Sequence, residues 1–454
     1  MVNLFMKPCK LVILAAVFVL HIKSLLADND AWLAFGDLRG NIESCGCDPS
    51  TDLGGVSRLA AQLAMERRLR PDVLIFDLGN NLDPDSTNLT KQKFLIKALS
   101  GLKSSARLFN HREMALKHLL KEGEDFLLSN KNPTSSLKTK SFILEKNVLI
   151  LGYFFNAHYQ TDLVPYDQKL LATWQKIQKE QQAKTMILLF SGQETDLKQI
   201  SKSQLFTTII RSNPKPGPAF DPTEKENPNS LALRLNDSLS MQVPLAGVGI
   251  LRGGSAQESA AQSLSAIFKE LENTNSKTQE IKPGLLNEAK LVSWLTSDLQ
   301  KESPLTDLML SYEEEMAKEF TSNLKARHEA NQKSNYIGSS SCKSCHNSAS
   351  EIFAHSRHAK AFETLKKVGK QNNPECVRCH VVGFSQGGFV SESQTPELAG
   401  VGCETCHGPR KNHGLGQERG QEKAAASSVC QNCHINPHSS AFDFTKYWEK
   451  IKHR

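Results

Sequence analysis

The last quarter of the chain contains four copies of the sequence Cys-x-x-Cys-His, at residues 342–346, 376–380, 403–407 and 430–434. In this pentapeptide, both thiols attach covalently to one c-type haem and the histidine that follows binds its iron. The sequence therefore predicts four covalently bound c-type haems (iron). The predicted attachment residues are Cys342, Cys345, Cys376, Cys379, Cys403, Cys406, Cys430 and Cys433, and the predicted proximal ligands are His346, His380, His407 and His434.

Zinc is the alternative ligand for these cysteines. Two Cys-x-x-Cys pairs can supply the four thiolates of a tetrahedral zinc site, so the eight cysteines could hold two zinc ions. Disulfides would also use the thiols. Neither interpretation gives a reason for a histidine directly after every second cysteine, so the sequence favours haem.

Histidines are concentrated in the same region: ten of the 14 lie at or beyond His328. Neutral imidazole is a preferred sixth ligand of low-spin haem iron, and no methionine follows Met316. A haem without such a ligand would be five-coordinate and open to a small molecule. The predicted distal ligands are His358, His413, His438 and His355, with His453 left open.

Residues 1–27 have the pattern of a secretory signal peptide. Lys7 and Lys10 precede an unbroken apolar run over residues 11–20, and a cleavage site follows at residues 25–27. The run is short for a membrane span, although an uncleaved anchor remains the alternative. Because bacterial c-type haem is attached outside the cytoplasmic membrane, we expect a periplasmic or otherwise exported protein, membrane-anchored only if this segment is retained.

Charge adds a constraint on partners. The formal net charge is +7, and residues 334–454 carry 15 Lys and Arg against 10 Asp and Glu. Four haems would bring eight propionates, with which these basic side chains can pair. Together with the absence of a nucleic-acid motif, this argues against a nucleic-acid partner.

The C-terminal motifs resemble a known family. Residues 336–339, 356–362 and 402–409 look like the tetrahaem cytochromes whose best-known member accepts electrons from hydroxylamine oxidoreductase, and residues 442–448 continue the match. The resemblance implies a mainly α-helical module of close-packed haems, most of them with two histidine ligands. It also implies that one haem can lack a sixth protein ligand.

Residues 28–303 alternate apolar strand-like runs with amphipathic helical ones, which predicts an α/β layered domain. We expect one long charged helix over residues 305–331 and a short amphipathic helix over residues 349–367. The expected strands cover residues 31–37, 73–77, 141–154 (a hairpin turning at 145–147), 185–190 and 248–251; the expected helices cover residues 55–70, 167–182 and 257–271.

This half resembles the metallophosphoesterase domain of the 5′-nucleotidase family, in residues 36–41, 45–47 and 77–80. Such enzymes activate water with two divalent metal ions. In this sequence Arg39 and Asn80 replace a histidine and a bridging aspartate, and no histidine occurs between His158 and His328. We therefore expect a non-catalytic relative, and we assign no catalytic role to Cys45 and Cys47.

These observations predict a metallophosphoesterase-like α/β layered domain followed by a mainly α multihaem cytochrome c module. The expected bounds are a signal peptide at 1–27, the α/β domain at 28–303, a linker helix at 304–333 and the tetrahaem domain at 334–454. The expected function is electron transfer between periplasmic or membrane redox partners, after haem insertion by the attachment machinery. The alternatives are a haem enzyme acting on a small nitrogen or sulfur species, and residual phosphoesterase or nucleotide binding in the N-terminal half.

Overall fold

The computed structural model describes residues 31–43, 54–84, 86, 88–120, 126–212, 232–235, 238–242, 249–253, 292–295, 298–299, 303–413, 427–434, 439 and 442–453. The signal peptide, Cys45, Cys47, His438 and the helix expected at 257–271 lie outside these residues. The chain divides into two compact units, residues 1–305 and 306–454. The domain bounds proposed from the sequence remain predictions.

The first unit contains a six-stranded sheet in the order β12-β11-β1-β2-β3-β4. β1 to β4 run parallel, whereas β11 is antiparallel to β1 and β12 to β11. The strands are β1 Trp32–Phe35, β2 Leu74–Asp77, β3 Ala106–Leu108, β4 Phe126–Leu127, β11 Gly249–Gly253 and β12 Val292–Trp294.

A second six-stranded sheet has the order β5-β6-β7-β8-β10-β9. β6, β7, β8 and β10 are parallel, with β5 and β9 antiparallel at the two edges. β5 and β6 form the hairpin expected from the sequence. The strands are β5 Ile143–Glu145, β6 Val148–Phe154, β7 Thr185–Ser191, β8 Thr208–Arg211, β9 Ala232–Leu235 and β10 Ser238–Gln242.

Successive side chains of β6 belong alternately to two core clusters, which shows how the two sheets and the helices form layers. Val148 and Ile150 lie in a core cluster that contains residues of both sheets, while Leu149, Leu151 and Tyr153 lie in a second cluster. Successive strand residues point to opposite faces, so a strand that is buried on both faces is apolar throughout. The two sheets therefore pack face to face, and helices cover the other side of the second sheet.

The helices of this unit connect the strands, and two of them, α4 and α5, supply the second cluster through Leu170, Trp174, Leu197 and Ile200. The α/β layered fold predicted from the sequence is confirmed. The helices are α1 Val56–Leu69, α2 Leu89–Gly101, α3 His111–Ala115, α4 Gln168–Gln181 and α5 Glu194–Lys202.

The second unit is helical, with a small apolar core that includes Phe320, Phe362, Val377 and Phe389. Its mainly α character is also as predicted. No helix within the described residues is both long and apolar enough to span a bilayer. The helices are α6 Thr306–Ser322, α7 Leu324–Gln332, α8 Asn347–Ala354, α9 Ala361–Lys367, α10 Pro374–His380, α11 Cys403–His407, α12 Ser427–Gln431 and α13 Phe444–Trp448.

Two helices expected as continuous are interrupted. The helix expected at 305–331 is α6 and α7, separated at Asn323, and both belong to the second unit. The helix expected at 349–367 is α8, a 3₁₀ turn at His358–Lys360, and α9. Hydrophobic periodicity cannot detect such breaks, because short helices on either side of a turn keep a similar spacing of apolar residues.

Arg327 stabilises the break between α6 and α7. Its Nη2 donates to the Phe320 carbonyl at 2.5 Å, its Nε donates to the Val390 carbonyl at 3.3 Å, and its guanidinium lies 4.2 Å from the Phe320 ring centre. Hydrogen bonds from a charged donor contribute about 1.5–3 kcal/mol each. The side chain therefore fixes both the end of α6 and its packing against the segment near Val390.

Arg327→Met keeps the apolar stem but removes both hydrogen bonds. We expect the free energy of unfolding of the second unit to fall by roughly 2–4 kcal/mol, because two carbonyls lose a charged donor. Thermal unfolding of the haem-loaded protein, followed by circular dichroism in the Soret region, measures this. Arg357→Met at an exposed arginine is the control. Equal effects of the two substitutions would contradict the assigned role of Arg327.

Candidate haem-binding site

The four Cys-x-x-Cys-His motifs all lie at helical turns. The first follows the 3₁₀ turn Ser339–Cys342, the second ends α10, the third is α11 and the fourth begins in α12. His346 N donates to the Cys342 carbonyl at 2.9 Å, and His434 N donates to the Cys430 carbonyl at 2.8 Å. One helical turn places residues i, i+3 and i+4 on the same face. Both thiols and the imidazole of each motif can therefore contact the porphyrin ring of one haem.

Three motif histidines lie against a second histidine from elsewhere in the second unit. The separations between the ring centres are 6.1 Å for His346 and His413, 5.9 Å for His358 and His434, and 5.7 Å for His407 and His453. Two imidazoles on one metal ion, each with a metal–nitrogen bond of about 2 Å, have ring centres roughly 6 Å apart. The residues present therefore fit an iron between each pair.

Hydrogen bonds at Nδ1 orient two of the proximal histidines. The Nδ1 atom of His380 lies 2.7 Å from the Ala361 carbonyl, and that of His434 lies 2.8 Å from Ser439 Oγ. A hydrogen bond at Nδ1 leaves Nε2 as the metal-binding atom. The Phe442 ring stacks on His434 with 4.4 Å between centres. These contacts fix the orientation of the His380 and His434 imidazoles.

Burial keeps several of these imidazoles in the form that binds metal. Burial lowers the pKa of His358, and it lowers the pKa of His434 together with the charge of His358. The pKa of His407 is lowered by burial and then by neighbouring cationic groups, of which His453 acts most strongly. Neutral imidazole is the ligand form, so the local electrostatics favour ligation.

Contacts between thiols define an order of the motifs in space. Cys342 of the first motif lies within hydrogen-bonding reach of Cys403 of the third, and Cys379 of the second within reach of Cys433 of the fourth. Cys430 of the fourth motif acts electrostatically on Cys406 of the third. Cysteines of the first and third motifs, of the third and fourth, and of the fourth and second therefore lie near each other, although of these pairs only the third and fourth motifs are neighbours along the chain.

The structure places two of the four predicted distal histidines against a motif histidine. His358 and His413 each lie against a motif histidine, whereas His438 is outside the described residues. The Nδ1 atom of His355 lies 2.8 Å from the Glu351 carbonyl, and in the described part of the chain no motif histidine lies against its ring. The structure instead places His453 against His407, a pairing that only the enrichment of histidine could have suggested.

His380 differs from the other motif histidines. Its neighbours include the Ala361 carbonyl and Thr364 Oγ1, at 2.7 and 3.5 Å from Nδ1. Within residues 303–413, 427–434, 439 and 442–453, no second imidazole lies against its ring. The second motif is therefore the one for which the described residues supply no histidine pair.

The first unit contains a buried polar cluster where β1, β2 and β3 end. The Asn80 side-chain amide donates to Asp37 Oδ1 at 3.0 Å, and Asn81 donates to Asp77 Oδ1 at 2.6 Å. Asp37, Asp77 and Asn110 are almost fully buried. Among the described residues, no group of three or more His, Cys, Asp or Glu side chains is arranged to hold a metal ion.

Solved structures similar to the N-terminal half include three hydrolases. The sulfate thiohydrolase SoxB of Thermus thermophilus is 11% identical, with 49% of this chain and 53% of that chain covered and a TM-score of 0.37. A 5′-nucleotidase precursor of Thermus thermophilus is 16% identical, with 49% of this chain and 50% of that chain covered and a TM-score of 0.38. The NAD nucleotidase of Haemophilus influenzae is 12% identical, with 50% of this chain and 47% of that chain covered and a TM-score of 0.37. With TM-scores below 0.5, these likenesses carry no conclusion about activity.

The C-terminal region has a relative in sequence. Residues 341–408 match the family model of "Cytochrome c554 and c-prime". Cytochrome c-554 of Nitrosomonas europaea is 33% identical over 146 residues, covering 24% of this chain and 62% of that protein. This chain thus spans less than two thirds of the curated relative and about half of the solved structures. The C-terminal region is therefore similar in sequence to cytochrome c554, over the part of the chain that carries the Cys-x-x-Cys-His motifs.

Proposed function

We propose that this protein is an exported tetrahaem c-type cytochrome that transfers electrons between redox partner proteins. The observation that supports this best is the set of three imidazole pairs, each with ring centres about 6 Å apart. When bound, c-type haem supplies an iron that changes reversibly between two oxidation states. The paired imidazoles would occupy both axial positions and keep small molecules away from the iron, which suits electron transfer.

The proximity of the motifs supports conduction through the module. Neighbouring attachment cysteines link the first motif to the third, the third to the fourth and the fourth to the second. Neighbouring motifs of this kind would let an electron pass from haem to haem between a donor and an acceptor docked on the module. We propose redox proteins of the periplasm or membrane as these partners, and the cellular haem-attachment machinery as a partner during maturation.

Haem and metal analysis of the purified, full-length protein tests this proposal. We expect four haem irons per chain, and three in the double variant Cys430→Ala, Cys433→Ala, because each motif binds its haem independently through its own two thiols. The control Ser427→Ala, at the start of α12, should keep all four. Two zinc ions per chain without haem, or four haems in the double variant, would overturn the proposal.

The environment of His380 favours a second candidate function. Within the described residues this histidine has no imidazole partner, and an iron bound there without a ligand such as His438 would keep one position open. A haem enzyme that oxidises or reduces a small nitrogen or sulfur species needs such a position. Addition of nitric oxide or cyanide to the oxidised protein distinguishes the two functions. An unchanged electron paramagnetic resonance spectrum supports electron transfer alone, whereas a high-spin signal that shifts with added ligand supports the enzyme.

A further inference from the structure

Glu404 occupies an unusual position for a charged residue. It lies inside the third motif, between the attachment residues Cys403 and Cys406, and only 2% of its surface is exposed. Glutamate is rarely buried to this extent unless its carboxylate has partners. The two residues between the cysteines are not fixed by haem attachment, so covalent chemistry does not explain a buried carboxylate here.

Main-chain amides surround this carboxylate. Glu404 Oε2 accepts hydrogen bonds from Gly338 N at 2.9 Å and Ile337 N at 3.1 Å, and Oε1 accepts from Arg410 N at 2.9 Å. Within the described residues, all its donors are main-chain N–H groups. Hydrogen bonds of this kind to an ionised acceptor are about twice as strong as neutral ones. One side chain thus joins three separate parts of the second unit.

The two segments that Glu404 holds lead to the same histidine pair. Ile337 and Gly338 directly precede the turn Ser339–Cys342, which begins the motif that ends at His346. Arg410 begins the turn that ends at His413, since His413 N donates to the Arg410 carbonyl at 3.0 Å. The His346 and His413 rings form the pair separated by 6.1 Å. Glu404 therefore holds the two main-chain segments that lead to the histidines of this pair.

Two further hydrogen bonds join the segments that Glu404 holds together, and we call this contact region the junction. Cys403 N donates to Ser339 Oγ at 3.0 Å, and Lys411 N donates to the Asn335 carbonyl at 3.0 Å. The buried carboxylate thus lies next to the main chain of Ile337 and Gly338, which leads into the first motif.

We propose that Glu404 is the positioning residue of the first haem-binding site: it fixes the His346–His413 pair and lowers the reduction potential of the haem held there. A buried negative charge favours the oxidised, more positive iron, and net charge and hydrogen bonding are known determinants of haem and cluster potentials. The inference rests on the proposed tetrahaem function. It adds that Glu404, a residue of the third motif, sets the reduction potential of the haem bound at the first motif.

The substitution Glu404→Gln in the full-length, haem-loaded protein tests this role. It keeps the side-chain size, removes the charge and turns one acceptor into a donor that faces main-chain N–H groups. We expect the potential of the haem at the His346–His413 pair to rise in spectroelectrochemical titration and the g-values of its low-spin signal to shift. His413→Ala, which should abolish the low-spin signal of the same haem, identifies which signal belongs to this site.

Glu351→Gln is the matched control, because it removes the same charge from an exposed residue close to the first motif. It should leave all g-values unchanged. Unaltered g-values and potentials in Glu404→Gln, or equal shifts in both variants, would overturn the proposal. If Glu404→Gln does not mature, Glu404→Asp keeps the negative charge but withdraws the carboxylate from the main-chain N–H groups of Ile337, Gly338 and Arg410. The same signal should then shift, and an unchanged spectrum would overturn the proposal.

The number of haems in the unsubstituted protein distinguishes a failure of the proposed function from a failure of the role assigned to Glu404. Fewer than four haems per chain would contradict the proposed function itself. Four haems with no effect at Glu404 would contradict only the role of this residue. The g-values report axial-ligand geometry independently of any electron-transfer activity, so a general loss of stability does not imitate the expected result.

Discussion

His453→Ala is expected to convert one haem from low spin to high spin, because the substitution removes one imidazole of the His407–His453 pair, whose ring centres lie 5.7 Å apart. Loss of an axial imidazole leaves an iron with one open position, to which small ligands can bind. Quantitative electron paramagnetic resonance of the oxidised variant should show one low-spin signal fewer than the unsubstituted protein. Added cyanide should restore a low-spin spectrum.

His355→Ala is the matched control for this prediction. Sequence reasoning favoured His355 as a ligand over His453, whereas the structure places only His453 against a motif histidine among the residues it describes. We therefore expect His355→Ala to leave the number of low-spin signals unchanged. A high-spin signal in His355→Ala together with a normal spectrum in His453→Ala would show that the pairing of His407 with His453 is wrong.

The second large effect is expected in the first unit, at Glu113. This buried carboxylate accepts hydrogen bonds from Asn80 N and Asn81 N, both at 2.8 Å, and so holds the loop that follows β2. Each buried donor left without an acceptor costs about 1–3 kcal/mol. We expect Glu113→Ala to lower the free energy of unfolding of this unit by roughly 2–5 kcal/mol, measured by calorimetry.

Glu180→Ala is the control, since Glu180 is an exposed residue of α4 with a single surface ion pair to Lys176. Its effect should stay below about 0.5 kcal/mol, as is usual for exposed sites. Similar losses in the two variants would contradict the role of Glu113. Because the units can unfold separately, the transition of the first unit must be resolved from that of the haem module.

Glu113 also predicts a pH dependence. Burial is the largest cause that raises the pKa of its carboxyl group, and the charge of Asp77 raises it further, against main-chain hydrogen bonds from Asn81, Asn80 and Glu113 itself. The folded state then binds the proton more tightly than the unfolded state, whose carboxyl pKa is about 4.3. Stability should therefore fall as the pH rises from that value through the folded pKa, and then level off. Glu113→Gln should lose this part of the profile, and an identical profile would refute the assignment.

Strands could be predicted from the sequence because their signals are local, and the haem-attachment residues are predicted from an equally local motif. The apolar run that contains β6 predicted a strand correctly, since side chains that alternate between two buried faces leave no polar position. The Cys-x-x-Cys-His motifs are equally local, because one helical turn suffices to bring two thiols and an imidazole to the same ring. In contrast, the breaks at Asn323 and around His358 depend on contacts such as that of Arg327 with the Val390 carbonyl.

The sequence by itself determined the motifs for covalent attachment of c-type haem, the excess of histidine in the C-terminal region and the α/β layered first domain. Only the tertiary structure decided which imidazoles face each other, which motifs lie near each other, and that Glu404 is buried. The reason is physical. Covalent motifs and hydrophobic periodicity are set by neighbouring residues, whereas axial pairs and buried charges arise from contacts between segments far apart in the chain, whose packing no local pattern records.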